Sequence, residues 1–158
     1  MATTVETADL TVTITENYSL MGTDYGSTCT KTYTTNGEVI QRLMSIAGKG
    51  SGETTTFTDI LALSTVDGRG QVVKADYKYF RIKNLDDTNN LNLRLYNGAD
   101  YIYFKVEPYC AVVLMSPDLD ATTTDGIANV SFADIQAIAG QSSHETDAVD
   151  VEFIVVTT

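Results

Sequence analysis

A chain of 158 residues with 43% hydrophobic and 20% charged residues can build one core, is too short for two ordinary domains, and excludes wholesale disorder. About two dozen threonines and nine tyrosines, against no tryptophan and two prolines, favour β structure over a helical bundle. Ten basic residues against 21 acidic ones leave a net charge of −11, a sign that repels phosphate backbones and argues against direct nucleic-acid binding.

The charge is unevenly placed. Lys105 is the last basic residue, and nine acids from Glu107 to Glu152 follow it. Such a surface keeps a particle soluble or meets a basic protein surface. Residues 1–9 read as a loose, Thr-rich arm, and residues 10–158 as a single domain. The start, Met1-Ala2-Thr3-Thr4-Val5-Glu6, has no basic flank and no apolar core, so no secretory signal is expected. The longest apolar run, Ala111–Met115, falls far short of the roughly 20 residues of a membrane-spanning helix.

Leu10–Leu20 alternates Leu10, Val12 and Ile14 with Thr11, Thr13 and Thr15, a strand with one polar face. Gly22 and Gly26 break it, and Thr28–Thr34 is a second strand. Thr35-Asn36-Gly37 is a hairpin signal leading into Val39–Ala47, a strand-like or mixed element whose Val39, Leu43 and Ile46 also fit one face of a short helix. Gly48–Gly52 is a loop, followed by strands at Phe57–Thr65 and Val72–Ala75. Residues 77–116 then supply three or four strands of a central sheet. Phe80 and Ile82 alternate with Arg81 and Lys83, and Leu91, Leu93 and Leu95 with Asn92 and Arg94. Asp86–Asn90 reads as a hairpin turn that sets their register.

Pro117–Asn129 is a long acidic loop. Phe132–Ala139 has Phe132, Ile135, Gln136 and Ala139 at helical spacing before Gly140 and predicts one short helix packed over the sheets. Val149–Val156 is the last strand. The pattern as a whole predicts an all-β fold, an antiparallel β-sandwich of jelly-roll type.

No constellation in the sequence assembles a catalytic centre. His144 is the sole histidine, in the polar stretch Gln141-Ser142-Ser143-His144-Glu145; adjacency to Ser142 and Ser143 in a loop does not make a nucleophile and base. Cys29 and Cys110 are the only cysteines, too few for a disulfide framework or a zinc site, and read as reduced, largely buried thiols, with a single bridge left open. Asp86, Asp87, Asn89 and Asn90, and again Asp118, Asp120 and Asp125, offer oxygen ligands for calcium, but their spacing is that of turns. Gly48-Lys49-Gly50-Ser51-Gly52 lacks the spacing of a phosphate-binding loop. Among 21 acids a carboxylate pair is guaranteed, so it is no sign of a glycosidase. Catalytic, cofactor and metal residues are therefore expected to be none.

Tyr77 with Tyr79, and Tyr101 with Tyr103, fall on common strand faces by alternation. They read as core or subunit interface before carbohydrate platform.

One phrase carries more. Phe80–Leu114 runs through Ile82-Lys83-Asn84-Leu85-Asp86, then Asn89-Asn90-Leu91-Asn92-Leu93-Arg94-Leu95, a Tyr-rich strand, Glu107-Pro108-Tyr109 and an apolar strand. It resembles a phrase of small structural proteins of tailed bacteriophages, with Pro108-Tyr109 where Pro-Gly is commoner. The resemblance covers about a quarter of the chain. It implies a non-enzymatic virion protein, assembled in the host bacterial cytoplasm, that acts by shape as capsid cement or decoration. Its expected partners are other virion proteins, the major capsid protein first, and further copies of itself. A tail or neck component (tube, adaptor or fibre-attachment subunit) is the alternative within that class. A carbohydrate-binding β-sandwich module, with calcium in the Asp86–Asn90 turn, is the alternative outside it.

Overall fold

The computed structural model describes residues 9–34, 39–50, 56–64, 72–73, 76–98, 101–114 and 135–157. The expected arm up to residue 8, the Thr35-Asn36-Gly37 turn and the acidic loop Pro117–Asn129 lie outside them. The described residues are nearly all β, with no α-helix. The strands are β1 (Asp9–Leu20), β2 (Thr23–Thr34), β3 (Val39–Ile46), β4 (Thr58–Ser64), β5 (Val72–Val73), β6 (Tyr77–Asn84), β7 (Leu91–Tyr96), β8 (Tyr101–Val106), β9 (Ala111–Leu114), β10 (Ala137–Ser142) and β11 (Val149–Thr157).

Three sheets form: a ribbon β1-β2, a five-stranded sheet β5-β4-β10-β7-β8 and a four-stranded sheet β3-β11-β6-β9. Every pairing is antiparallel except the short contact of β4 with β5. The two larger sheets share one hydrophobic cluster. Phe80, Ile82, Val151, Phe153 and Val155 enter it from the four-stranded sheet, and Ile60, Leu91, Leu93, Leu95 and Ile138 from the five-stranded one. This burial follows from period two: the alternate residues Arg81, Asn92 and Arg94 are only partly buried on the other faces.

Several expectations are corrected. The helix over Phe132–Ala139 is absent: Ala137–Ser142 is strand β10, and Phe132–Asp134 lie outside the described residues. Between β4 and β7 the backbone of β10 finds ladder partners on both sides, and that pairing overrides a local helical spacing. Gly140, read as a helix stop, lies inside β10. A Cβ there would come within 2.8 Å of Ile60 Cδ1 and 3.0 Å of Leu91 Cδ1, so the residue is small because core side chains cross it.

The hairpin expected to join Thr28–Thr34 to Val39–Ala47 does not form. The first of these pairs with β1 and the second with β11. Val39–Ile46 is wholly strand. Residues 77–116 do not make one sheet either: β6 and β9 belong to the four-stranded sheet, β7 and β8 to the five-stranded one. Asp86–Asn90 is thus a corner between sheets and not a hairpin.

That corner is held by side chains. Asp86 Oδ1 accepts from the amides of Thr88 at 2.8 Å and Asn89 at 2.6 Å, the Asx-turn for which aspartate is suited. These amides, Asn89 first, hold the Asp86 carboxyl below its ordinary 3.8. The ionised form is therefore favoured by folding. Its contribution is complete above the ordinary value and drains away as pH falls through the lowered one. Asp86→Ala should be less stable than the parent at neutral pH, and the gap should narrow in urea titrations below pH 3.8. A gap that is constant with pH would contradict this.

Candidate contact surfaces

The β1–β2 ribbon is in register from Asp9↔Thr34 to Leu20↔Thr23. Alternation sorts it into two faces. One carries Leu10, Val12, Ile14, Tyr18 and Leu20 with Tyr25 and Tyr33; the other is dominated by threonines. Thr11 and Thr13 meet Thr32 and Thr30 there, with hydroxyl oxygens 3.3 Å apart in each pair. Tyr18 and Tyr25 stack at 5.5 Å.

At the tip Met21 has φ 50° and Gly22 φ 80°. Two positive angles make the two-residue turn that suits hairpin twist, in which Asn or Gly is the ordinary first residue. Methionine there is an apolar side chain on a costly backbone, and it is 99% exposed. Among the described residues the apolar face is covered at its base, where the Tyr33 ring lies 5.7 Å from that of Tyr79. Further out Ile14, Tyr18, Leu20 and Tyr25 are exposed.

A second surface is the outward face of β7 and β8. Register places Arg94 opposite Tyr103 and Tyr96 opposite Tyr101. Gln141 Nε2 donates to the Thr56 carbonyl at 3.1 Å and draws the neighbouring Phe57 over this face. The Arg94 guanidinium then sits 4.4 Å from the Phe57 ring and 4.8 Å from that of Tyr101. Tyr96 stacks on Tyr101 at 4.8 Å, and Phe57 lies 6.0 Å from Tyr103. Such stacking of guanidinium on aromatic faces holds the strip rigid. Tyr101 and Tyr103 nonetheless stay 47% and 59% exposed, so the strip keeps aromatic surface for a partner.

Of the four tyrosines singled out by sequence, the structure brings only Tyr101 and Tyr103 to the surface. Tyr77 and Tyr79 are buried, at 2% and 4% exposure. An irregularity opposite Val156 and Thr157 places an extra residue between them. Tyr77 joins the core, while Tyr79 packs under Tyr33. Burial first, then the neighbouring Tyr33 and Tyr79, push the Tyr77 phenol well above its ordinary value, which keeps it neutral.

Sequence reasoning passed over Arg94, Phe57, Tyr96 and Met21. The alternation that marked the first strand, carried across its turn, is the signal that would have exposed the ribbon's apolar face. The Phe57 contact has no local signal.

The remaining candidates resolve into local structure. His144 Nδ1 accepts from the amides of Asp147 at 3.1 Å and Thr146 at 3.3 Å, so it braces a turn. Cys29 and Cys110 are free and exposed, not buried as expected: Cys29 is on the uncovered ribbon and Cys110 ends the Glu107–Cys110 turn. Asp118, Asp120 and Asp125 lie outside the described residues. Among the described residues no group of three or more His, Cys, Asp or Glu is placed to hold a metal ion. None of their helices is long and apolar enough to cross a membrane. Comparison with protein-family models, curated proteins and solved structures finds no match.

Proposed function

We infer that the chain is a non-enzymatic structural subunit of a tailed-phage virion, a capsid cement or decoration protein that binds and stabilises the shell. The observation that carries this reading is the ribbon. Two 12-residue strands pair, among the described residues, only with each other and leave Ile14, Tyr18, Leu20 and Tyr25 of one face exposed. A lone two-stranded ribbon is marginally stable at best, so its face needs cover from another molecule. That is the design of a subunit completed by assembly.

The finer fold reading agrees with it. Apart from the ribbon and two-residue β5, eight strands remain. In chain order they lie first-eighth-third-sixth in one sheet and second-seventh-fourth-fifth in the other. This alternation supports a jelly-roll sandwich, an architecture of viral shells and of lectins. The turn after β8 also favours the phage phrase. Cys110 N donates to the Glu107 carbonyl at 3.0 Å and Tyr109 has φ 60°, a left-handed residue following Pro108. Glycine is the ordinary occupant of that position, and the phrase has glycine there.

The purified protein should co-sediment with empty capsids of the phage that encodes it, and mass spectrometry of mature particles should count it on the order of hundreds per shell, as icosahedral repetition requires. A count of about six or twelve, the symmetry of a neck or tail ring, would replace cement with a neck or tail role. Absence from the particles would overturn the virion reading altogether.

A further inference from the structure

The outer half of the ribbon's apolar face is exposed at Ile14, Tyr18, Leu20 and Tyr25, and so are Tyr101 and Tyr103 of the Arg94 strip. In a chain with twice as many acids as bases, Arg94 has no carboxylate partner among the described residues, and its Nε is buried without a hydrogen bond. Arg81 pairs with Glu152 and Lys105 with Glu107, whereas among the described residues Arg94 is held by the rings of Phe57 and Tyr101. The ribbon's apolar face, for its part, carries one acid, Glu16, between Ile14 and Tyr18, whose exposed side chain accepts from the Ser27 hydroxyl at 3.0 Å; its one base, Lys31, lies opposite Val12 near the base, 5.9 Å from the Tyr33 ring.

We propose that the apolar face of the β1–β2 ribbon of one copy docks on the Tyr101–Tyr103–Arg94 strip of a second copy, head to tail, with Glu16 meeting Arg94. The contact rests on the assembly reading above and names its partner. It joins different copies because the ribbon leaves its own body beside Tyr79, on the outward face of the four-stranded sheet. The strip is on the outward face of the other sheet, with the shared core between them.

Chemistry selects the strip over the other exposed apolar feature, the notch at Leu43 and Leu85. That notch carries Asp150, which repels Glu16, whereas the strip offers Arg94, the Lys105 charge being met by Glu107. The strip is also rigid before binding, so tyrosine and arginine lose little freedom on contact, and these are the residues that dominate interface energies. Twelve residues of strand at about 3.3 Å each make a ribbon about 40 Å long, long enough to cross the exposed edge strand β8 of a neighbour. A contact between two different surfaces repeats, so it closes a ring or grows a filament.

Analytical ultracentrifugation of the full chain across concentration tests the contact. The parent should assemble, and Glu16→Arg and Arg94→Glu should each raise the concentration needed by at least about tenfold. The two variants mixed, or combined in one chain, should assemble again, because the reversed pair is complementary. Glu16→Gln and Arg94→Gln, with smaller shifts, serve if a reversal fails to fold by circular dichroism. A parent that is monomeric at every concentration, or assembly indifferent to both reversals, overturns the contact. Capsid co-sedimentation separates this from the virion reading. Capsid binding by a monomeric parent sinks the contact and leaves the cement role, while charge-sensitive assembly without capsid binding does the reverse.

Discussion

Replacing Asn84 with leucine should cost about 3 kcal/mol, since each buried group stranded by a lost partner costs about 1–3 kcal/mol. Asn84 is fully buried at the end of β6. Its Nδ2 donates to the Asn89 carbonyl at 2.9 Å and to the Val106 carbonyl at 3.1 Å, and its Oδ1 accepts from the Asp86 amide at 3.0 Å. Those bonds tie the four-stranded sheet, through β6, to the last residue of β8 in the five-stranded sheet. Leucine has a similar volume, so packing is nearly kept while all three partners are deserted. Water can reach the half-buried Asp86 and Asn89, but the Val106 carbonyl lies in the interior, and its loss should dominate. Thermal melts should show a midpoint lowered by roughly 6–12 °C, at 2–4 °C per kcal/mol for a chain of this size. A shift within experimental error would mean that the two sheets are held by apolar contact alone.

Phe153→Ala should be at least as damaging, at about 3–5 kcal/mol. Phe153 is 1% exposed at the middle of β11, the strand hydrogen-bonded on both edges within the four-stranded sheet. Its ring lies 6.3 Å from that of Phe80 on the neighbouring strand, a spacing at which tilted rings attract. Truncation removes the transfer energy of the ring and leaves a cavity that paired backbones on both sides cannot close. Phe153→Leu, which fills much of the space, should lose about 1 kcal/mol. Urea unfolding should move the midpoint of the alanine variant with an unchanged slope. Equal losses in the two variants would show that the site relaxes around the cavity.

Both positions illustrate what can be read from residue order. Phe153 was legible, because Val149, Val151, Phe153 and Val155 keep period two and any half-buried strand must put them on one side. Asn84 was not. It appears in sequence as one more polar residue in the Asn84–Asn90 run, and its burial exists only because two sheets meet there. The same division runs through the contact surfaces. Alternation alone put Tyr101 and Tyr103 on one face. It put Tyr77 and Tyr79 on one face as well, but the irregularity opposite Thr157 breaks period two between them, and Tyr77 joins the core while Tyr79 packs against Tyr33. The apolar face of the ribbon is written in Leu10, Val12, Ile14, Tyr18 and Leu20, yet no local rule says whether such a face is covered by the body or left open.

By itself the sequence determined an all-β chain, the positions of most strands, the alternation that divides inward from outward residues, and the turn chemistry of Asp86. These are matters of neighbouring residues, where side-chain direction and backbone preference act over a few positions. Only the tertiary structure decided that β2 pairs back onto β1 and not forward onto β3, that Ala137–Ser142 is a strand, and that residues 77–116 divide between two sheets. It alone also brought Phe57 over Arg94. Each of these depends on which distant strand is available to satisfy a backbone edge or cover a face. Such partners are chosen by the free energy of the whole assembly of strands, which a window of sequence does not contain.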